Sequence, residues 1–180
     1  MVDITFITGN QNKADYLAKY LGLSVKHQKV DLDEIQSLEL RAVVEHKVLQ
    51  AYQIVKAPVL VEDVSLEFTA LGRLPGTFIK FYVEEVPFET ICRTLDGLSR
   101  AAIARSMYGY YDGKNMEFFE SSLPGTIAEH PRGDRGWGWD KIFVPEGYTQ
   151  TRAELSEVDD EKTYLQIKPL GQLKTFLLNR

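Results

Sequence analysis

The first polar segment of the chain, TGNQNK, follows directly on its first apolar run and spans Thr8–Lys13. A turn between a strand and a helix presents backbone N–H groups and the positive end of the helix, which together favour a phosphate. Lys13 would add a full positive charge. The spacing is not that of a Walker A loop. Taken alone, the segment fits an ordinary turn with a solvated lysine at least as well.

Three acidic side chains are candidate metal ligands. Glu62 and Asp63 follow the apolar run Val59–Val61, and carboxylates at the carboxyl end of a strand commonly face the ligand crevice of an α/β sheet. Glu34 would be a third oxygen ligand of the kind that Mg²⁺ binds together with phosphate. Adjacent strand residues point to opposite faces, so Glu62 and Asp63 can share an ion only if the strand ends before them. Acids that merely mark where a strand meets solvent are the alternative.

Two later segments carry candidate ligand-binding side chains. LPGTFIK contains Lys80, which is either a second cation for a phosphate or a surface lysine. RGWGWD contains both tryptophans of the chain, separated by Gly138 and followed by Asp140. Each indole is either core packing or a flat surface on which a nucleobase stacks.

Apolar periodicity and turn residues predict the elements that position these segments. Strand and helix alternate early, strands cluster later, and a helix closes the chain, which predicts one α/β domain over residues 1–180 with two lobes. The predicted elements are strands at Ile4–Thr8, LSVKHQKV and Val59–Val61, helices at Lys13–Leu21, Leu40–Val55 and Phe78–Phe81, a helix in VPFETICRTLDGL ended by Gly97, strands within Ala101–Ile127 with a turn at Asp112–Gly113, and a helix at Leu165–Leu178.

Composition excludes several classes of protein. With 44% hydrophobic and 26% charged residues among 180, the chain is globular rather than disordered. A net charge of −5 argues against binding a nucleic-acid backbone. The single cysteine, Cys92, excludes an internal disulfide, and no Cys/His spacing indicates zinc. No apolar run is long enough for a signal peptide or a membrane span, so we predict a cytoplasmic protein that does not bind membranes.

Four segments in register resemble the inosine triphosphatase family, the Ham1-like noncanonical purine NTP pyrophosphatases. The family has TGN-x-x-K, V-E-D-[TS]-x-L, L-P-G-x-[YF]-x-K-[WF] and [FY]-G-[WY]-D-P-x-F, the last followed by T-x-A-E-[ML]. This chain has TGNQNK, VEDVSL, LPGTFIKF and WGWDKIF, then TRAEL, so the resemblance covers about Ile4 to Leu155. It implies an elongated mixed sheet in an α/β fold, with two lobes flanking a central nucleotide cleft, and a homodimer.

The resemblance also implies a reaction and the residues that perform it. Noncanonical purine triphosphates (ITP, dITP and XTP) would be hydrolysed to the monophosphate and pyrophosphate by water that attacks the α-phosphorus. Glu34 and Asp63 would hold Mg²⁺, with Mn²⁺ as the alternative ion, and Asp63 would also orient or deprotonate the water. The residues that would contact the triphosphate are Thr8, Asn10, Lys13 and Lys80, of which the two lysines would be catalytic together with Asp63.

Base recognition is implied for the segment Trp137–Asp140. Trp137 falls where the family has an aromatic residue that stacks on the base. Gly138, Trp139 and Asp140 would read the base edge, although the Trp139 ring is equally a candidate for buried packing.

The C-terminal part of the chain departs from the family pattern. The family continues with a lysine and a Ser-His-Arg triplet that grips the six-position oxygen of the purine. Lys162 matches the lysine only with two extra residues before it, and the triplet then falls on Gln166, Ile167 and Lys168. We therefore expect weaker discrimination against adenine, or a different cation at this place, either Arg152 or Lys168. A nucleotide-binding sensor or partner-binding module with weak or no turnover is the alternative function.

Overall fold

A computed structural model of the chain describes residues 4–22 and 25–179. The strands in these ranges are β1 Thr5–Ile7, β2 Lys26–Gln28, β3 Val59–Phe68, β4 Pro75–Gly76, β5 Ala101–Tyr111, β6 Met116–Ile127 and β7 Phe143–Pro145. The α-helices are α1 Gln11–Leu21, α2 Leu40–Val55, α3 Ile79–Glu85, α4 Phe88–Arg93, α5 Glu157–Ile167 and α6 Leu170–Leu178. Short 3₁₀ turns cover Thr69–Leu71, Gly138–Lys141 and Arg152–Glu154.

The amino-terminal third folds as its apolar spacing predicts. Helix α1 begins at the N-cap Asn10, whose side chain accepts a hydrogen bond from the backbone of Lys13, and ends at Gly22 in the left-handed conformation. Helix α2 has the predicted bounds. The weak strand pattern in LSVKHQKV contains β2, while Leu23 and Ser24 of that pattern lie outside the described residues.

Strand β3 is longer than its sequence pattern predicted. It continues past Val61 to Phe68, so Glu62 and Asp63 lie inside the strand and not at its end. The reason is the alternating pattern that follows the acids: Leu66 and Phe68 are fully buried, and a strand keeps both on the same face. The two carboxylates therefore have different neighbours.

The carboxyl-terminal helical segment also differs from its prediction. The single helix predicted over Leu165–Leu178 is wrong, because α5 begins at Glu157 and a break separates it from α6. Pro169 causes the break, since it lacks an N–H and forces Lys168 into extended backbone geometry with φ −97° and ψ 126°. Helix α4 likewise ends at Arg93, before the predicted stop at Gly97.

The strands form a mixed sheet in the order β2-β1-β3-β5-β6-β7, with β4 paired to β3. The pairs β1–β2 and β1–β3 are parallel, whereas β3–β4 and β6–β7 are antiparallel. This arrangement, with helices between the early strands, confirms the predicted mixed α/β class. Among the described residues, no helix is both long and apolar enough to cross a membrane.

The chain divides into two compact units. The first unit comprises the described residues up to Asp63, Ser106–Glu120 and those from Pro169 onward, and the second comprises Val64–Arg105 and Ser121–Lys168. Each unit has its own hydrophobic core, around Val44 and Val48 in the first and around Ile91 and Phe143 in the second. Strands β3, β5 and β6 each contain residues of both units.

Candidate functional site

The turn between β1 and α1 carries the first group of candidate residues. The Thr8 hydroxyl accepts from the backbone N–H of Asn10 at 3.1 Å, and Asn10 Oδ1 accepts from the backbone N–H of Lys13 at 3.3 Å. The side chains of Thr8 and Asn10 thus shape the start of α1. This end of the helix is positively polarised, which suits a bound anion.

Lys13 lies beside a buried carboxylate. Its Nζ is 3.4 Å from Glu62 Oε2, and the Glu62 side chain is nearly inaccessible to solvent. The hydroxyl of Ser106, on β5, donates to Glu62 Oε1 at 3.2 Å. The pair fixes Lys13 at the amino-terminal turn of α1.

Lys47 joins the two predicted metal ligands. Its Nζ lies 2.7 Å from Glu34 Oε1 and 2.7 Å from Asp63 Oδ2. Burial acts to lower the pKa of Lys47, but the charges and hydrogen bonds of Asp63 and Glu34 outweigh it and hold that pKa above its ordinary value. Lys47 is therefore an ammonium ion held between two carboxylates.

The same two carboxylates fit a divalent cation. Both bring an oxygen within 2.7 Å of one positive atom, so they already converge on a common position. Carboxylate oxygens are the ligands that Mg²⁺ and Mn²⁺ accept, with water and substrate phosphate filling the remaining positions. Within residues 4–22 and 25–179, no cluster of three or more His, Cys, Asp or Glu side chains could hold a metal.

The second unit holds the aromatic candidates. Trp137 is 51% exposed, whereas Trp139 is 9% exposed and packs edge-on against Phe143, with ring centroids 5.4 Å apart. Gly138 lies between them with φ 58°, a conformation that favours glycine, and begins the 3₁₀ turn. The Trp139 ring is thus buried in packing, whereas about half of the Trp137 side chain is exposed.

Asp140 is buried and links the tryptophan segment to an arginine. Its Oδ2 accepts from the backbone N–H of Trp137 at 3.0 Å, and its Oδ1 accepts from Arg152 Nη1 at 2.8 Å. Burial raises the pKa of Asp140, while the charge of Arg152 and the Trp137 hydrogen bond act in the opposite direction. Arg152 also donates through Nη2 to Asp160 Oδ1 at 2.5 Å and through Nε to Thr163 Oγ1 at 3.2 Å.

The remaining candidates are spread over the second unit. Lys80 is exposed at the start of α3, with its Nζ 5.6 Å from the centre of the Phe81 ring. Lys162 is exposed and paired with Asp159 at 3.0 Å, and Gln166 is also exposed. Lys168, in contrast, is buried, with its Nζ 5.6 Å from the centre of the Tyr164 ring.

Sequence reasoning missed Lys47. The residue sits in a predicted helix with ordinary amphipathic spacing, so nothing in its local pattern separates it from a solvated lysine. Its contacts with Glu34 and Asp63 arise only when α2 packs beside β3. The sequence predicts Arg152 only as a replacement cation, and no pattern in it indicates a pair with Asp140.

The strand order and helix placement define a mixed α/β protein of a kind known from solved structures. The HAM1 protein of Coxiella burnetii has the same fold, with a TM-score of 0.86 and 23% sequence identity, over 100% of both chains.

The chain belongs to the Ham1 family, whose model matches residues 4–176. It is 38% identical to inosine triphosphate pyrophosphatase 2 of Trypanosoma cruzi over 176 residues, covering 95% of this chain and 90% of that protein. It is also 34% identical to inosine triphosphate pyrophosphatase of Yarrowia lipolytica over 185 residues, covering 99% and 97% of the two chains. The family assignment made from four short segments is therefore confirmed over nearly the whole length.

Proposed function

We propose that the protein is a nucleoside triphosphate pyrophosphatase that hydrolyses ITP, dITP and XTP to the monophosphate and pyrophosphate. Its relatives carry the name inosine triphosphate pyrophosphatase. In this chain the carboxylates of Glu34 and Asp63 both contact the ammonium group of Lys47. This contact carries the proposal, because it places cation-binding oxygens beside a positive charge that can bind phosphate.

The triphosphate is proposed to bind at the start of α1. The backbone there offers N–H groups shaped by Thr8 and Asn10, and Lys13 adds a full charge within the same first turn. Lys80 and Lys47 are further proposed phosphate ligands. Positive charge at these positions stabilises the pyrophosphate as negative charge develops on it.

Glu34 and Asp63 are the proposed ligands of Mg²⁺, or of Mn²⁺. A divalent ion supplies Lewis-acid polarisation of a phosphoryl oxygen and neutralises charge on the leaving group. Asp63 also accepts a hydrogen bond from the attacking water, or takes its proton, and so directs the water oxygen towards the α-phosphorus. Lys47 provides the counter-charge for these carboxylates when no other cation is near.

The base is proposed to stack on Trp137. Its half-exposed indole is a flat apolar surface, and the buried Asp140 carboxylate is fixed to its backbone. Gly138 and Trp139 complete the base side of the site. Lys162, Gln166 and Lys168 stay proposed contacts on the strength of their match to the family pattern.

We also propose that residues 1–180 act as one domain, in a cytoplasmic homodimer that takes nucleotides and not nucleic acid. The domain proposal is supported by β3, β5 and β6, each of which runs through both units. The net charge of −5 supports a small nucleotide over a polyanion.

Pyrophosphate release with Mg²⁺ from ITP, XTP, GTP, ATP and their deoxy forms tests the proposal. Asp63→Asn should lower kcat by about a hundredfold or more while leaving the far-UV circular dichroism spectrum unchanged. Asp31→Asn, an exposed acid of the same unit, is the matched control and should keep full activity.

Two results would contradict the proposed pyrophosphatase activity. Release of orthophosphate alone would exclude cleavage at the α-phosphorus. Nucleotide-dependent thermal stabilisation without any hydrolysis would instead indicate a binding module, since a ligand that binds only the folded state raises its stability by mass action.

A further inference from the structure

One of the two proposed metal ligands, Glu34, lies in a segment without regular secondary structure. Residues 29–36 form neither helix nor strand, and the Glu34 side chain is 42% exposed, against 19% for Asp63 on β3. The backbone hydrogen bonds of a sheet hold Asp63 in place, whereas an irregular exposed segment has no such ladder. Side-chain contacts must therefore hold Glu34 beside Asp63.

Helix α2 contacts this segment at two positions on one of its faces. Asp33 meets Gln50, and Glu34 meets Lys47, which lies three residues earlier in the helix. Side chains three positions apart are neighbours on the surface of an α-helix. The preceding residue, Leu32, packs against the hydrophobic core of the first unit. Three consecutive residues of the segment are thus anchored within that unit.

The contact between Gln50 and Asp33 is reciprocal. Gln50 Oε1 accepts from the backbone N–H of Asp33 at 2.8 Å, and Gln50 Nε2 donates to Asp33 Oδ2 at 2.8 Å. One side-chain amide, which has both an acceptor and donors, therefore fixes the backbone and the side chain of Asp33 together. Because Asp33 directly precedes Glu34, holding its peptide group limits where the Cα atom of Glu34 can lie.

The ion pair between Lys47 and Glu34 is a weaker means of positioning. It joins the ends of two long side chains, which leaves the backbone between them free to move. Lys47 is also a proposed phosphate ligand and so has a second task in the site. The hydrogen bonds of Gln50, in contrast, act on the residue beside the ligand and do not compete with a cation for the Glu34 oxygens.

We propose that Gln50 positions Glu34 for a divalent cation by holding Asp33 with these two hydrogen bonds. Gln50 is a positioning residue, because it acts through Asp33 and does not itself contact the ion. The inference rests on the proposed function, in which Glu34 is a metal ligand. Removing a group that orients a metal ligand typically weakens metal binding by about ten- to a hundredfold.

Binding of Mn²⁺ to the nucleotide-free protein, followed by the electron paramagnetic resonance signal of free Mn²⁺, tests the inference without turnover. Gln50→Met keeps the approximate length of the side chain but neither hydrogen bond, so the dissociation constant for Mn²⁺ should rise by about tenfold. Gln53→Met is the matched control, because Gln53 is exposed on the same helix. Its dissociation constant should equal that of the unchanged protein.

An exchange of the two side chains separates positioning from charge. Gln50→Glu alone sets two carboxylates against each other, so it should weaken Mn²⁺ binding although an added negative charge attracts cations. When Asp33→Asn is added, the carboxylate at position 50 can accept from both the backbone N–H and the amide of position 33. Affinity should then return close to that of the unchanged protein, which has the same net charge. A long-range charge effect alone predicts the opposite order, with Gln50→Glu binding most tightly.

Pyrophosphate release from ITP supplies a second readout. Gln50→Met should need about tenfold more free Mg²⁺ for its half-maximal rate, yet approach the rate of the unchanged protein at saturating Mg²⁺, because excess ion offsets a weaker site. A general loss of folded structure would instead lower the maximal rate at every Mg²⁺ concentration. Far-UV circular dichroism checks that each variant is folded.

An unchanged Mn²⁺ dissociation constant in Gln50→Met overturns the inference and leaves the proposed function standing. Tighter binding in Gln50→Glu than in the exchanged pair does the same, and this order decides alone if Gln50→Met does not fold. Absence of pyrophosphate release by the unchanged protein overturns the proposed function, while the Mn²⁺ affinities still decide whether Gln50 positions Glu34. Absence of Mn²⁺ binding by the unchanged protein overturns both the proposed metal ligands and this inference.

Discussion

Trp137 and Trp139 lie two positions apart, yet one indole is half exposed and the other is almost fully buried. The backbone explains the difference. Trp137 is extended, with φ −152° and ψ 159°, whereas Trp139 lies inside the 3₁₀ turn that directs its ring onto Phe143. A half-exposed indole gives up part of its hydrophobic burial, which is consistent with a stacking surface for a ligand.

Replacing Trp137 by alanine should raise KM for every nucleotide that the protein accepts by about tenfold or more, because base stacking is largely independent of base identity. Steady-state pyrophosphate release measures it. Leu98→Ala is the control, since Leu98 is 52% exposed and lies in the same unit. If the two variants have equal KM values, Trp137 is an ordinary surface side chain that does not contact the nucleotide.

For single residues, the sequence predicts which side chains belong to the site better than it predicts the side chains that they contact. Trp137, Asp140, Lys13 and Asp63 are found from their motifs, because each motif is local. The ion pairs of Lys47 are not, because they join α2 to β3 and to the segment before α2. The Arg152–Asp140 pair joins residues on separate 3₁₀ turns and is hidden for the same reason.

Two helices end in the same left-handed conformation with different residues. Helix α1 ends at Gly22 with φ 65°, and α2 ends at Lys56 with φ 58°. Each cap N–H closes the helix, on the carbonyl of Ala18 and of Tyr52 respectively. Glycine adopts this conformation without the Cβ clash that lysine carries, so α2 ends under strain.

Lys56→Gly should therefore raise the free energy of unfolding by about 0.5 kcal/mol, the relief of strain exceeding the entropic cost of glycine. Gly22→Ala should lower it by about 1 kcal/mol, although no described atom lies within 4 Å of the added Cβ. Urea denaturation followed by circular dichroism measures both. Lys56→Ala keeps the Cβ and should not raise the free energy of unfolding. If it does, the stabilisation comes from removing the rest of the lysine side chain and not from relief of backbone strain.

Elements are predictable where one local force dominates. The bounds of α2 follow from its apolar spacing. The end of β3 is misjudged because two acids resemble a strand terminus, while the buried Leu66 and Phe68 beyond them extend the strand. The apolar pattern hides the break before α6, because its period continues across Pro169, whose backbone restriction outweighs it.

The two units have separate cores, and the single cysteine belongs to the second. Burial raises the pKa of Cys92 to about 11, so its thiol is almost wholly protonated at neutral pH. Because the side chain is also inaccessible, a thiol reagent must wait for the second unit to open. The residue is thus an internal reporter of that event.

We expect a cavity in the first unit to speed labelling of Cys92 in the second, since β3, β5 and β6 run through both. Val48→Ala should destabilise the protein by roughly 2 kcal/mol and raise the labelling rate at pH 8 by about thirtyfold. Labelling with a chromogenic disulfide in native buffer measures it. Leu49→Ala, a more exposed neighbour on α2, should change the rate little; an unchanged rate in Val48→Ala would mean that the units unfold independently.

The position of the two tryptophans has an optical consequence. Because both indoles lie within one short segment of the second unit, light absorbed at the red edge, where tyrosine is transparent, is emitted from a single place in the molecule. Trp139 is screened from water and from soluble quenchers such as iodide, whereas Trp137 is not. The quenchable part of the intrinsic fluorescence therefore comes from Trp137, the proposed stacking residue, and a bound purine would be detected by the loss of that part without any label.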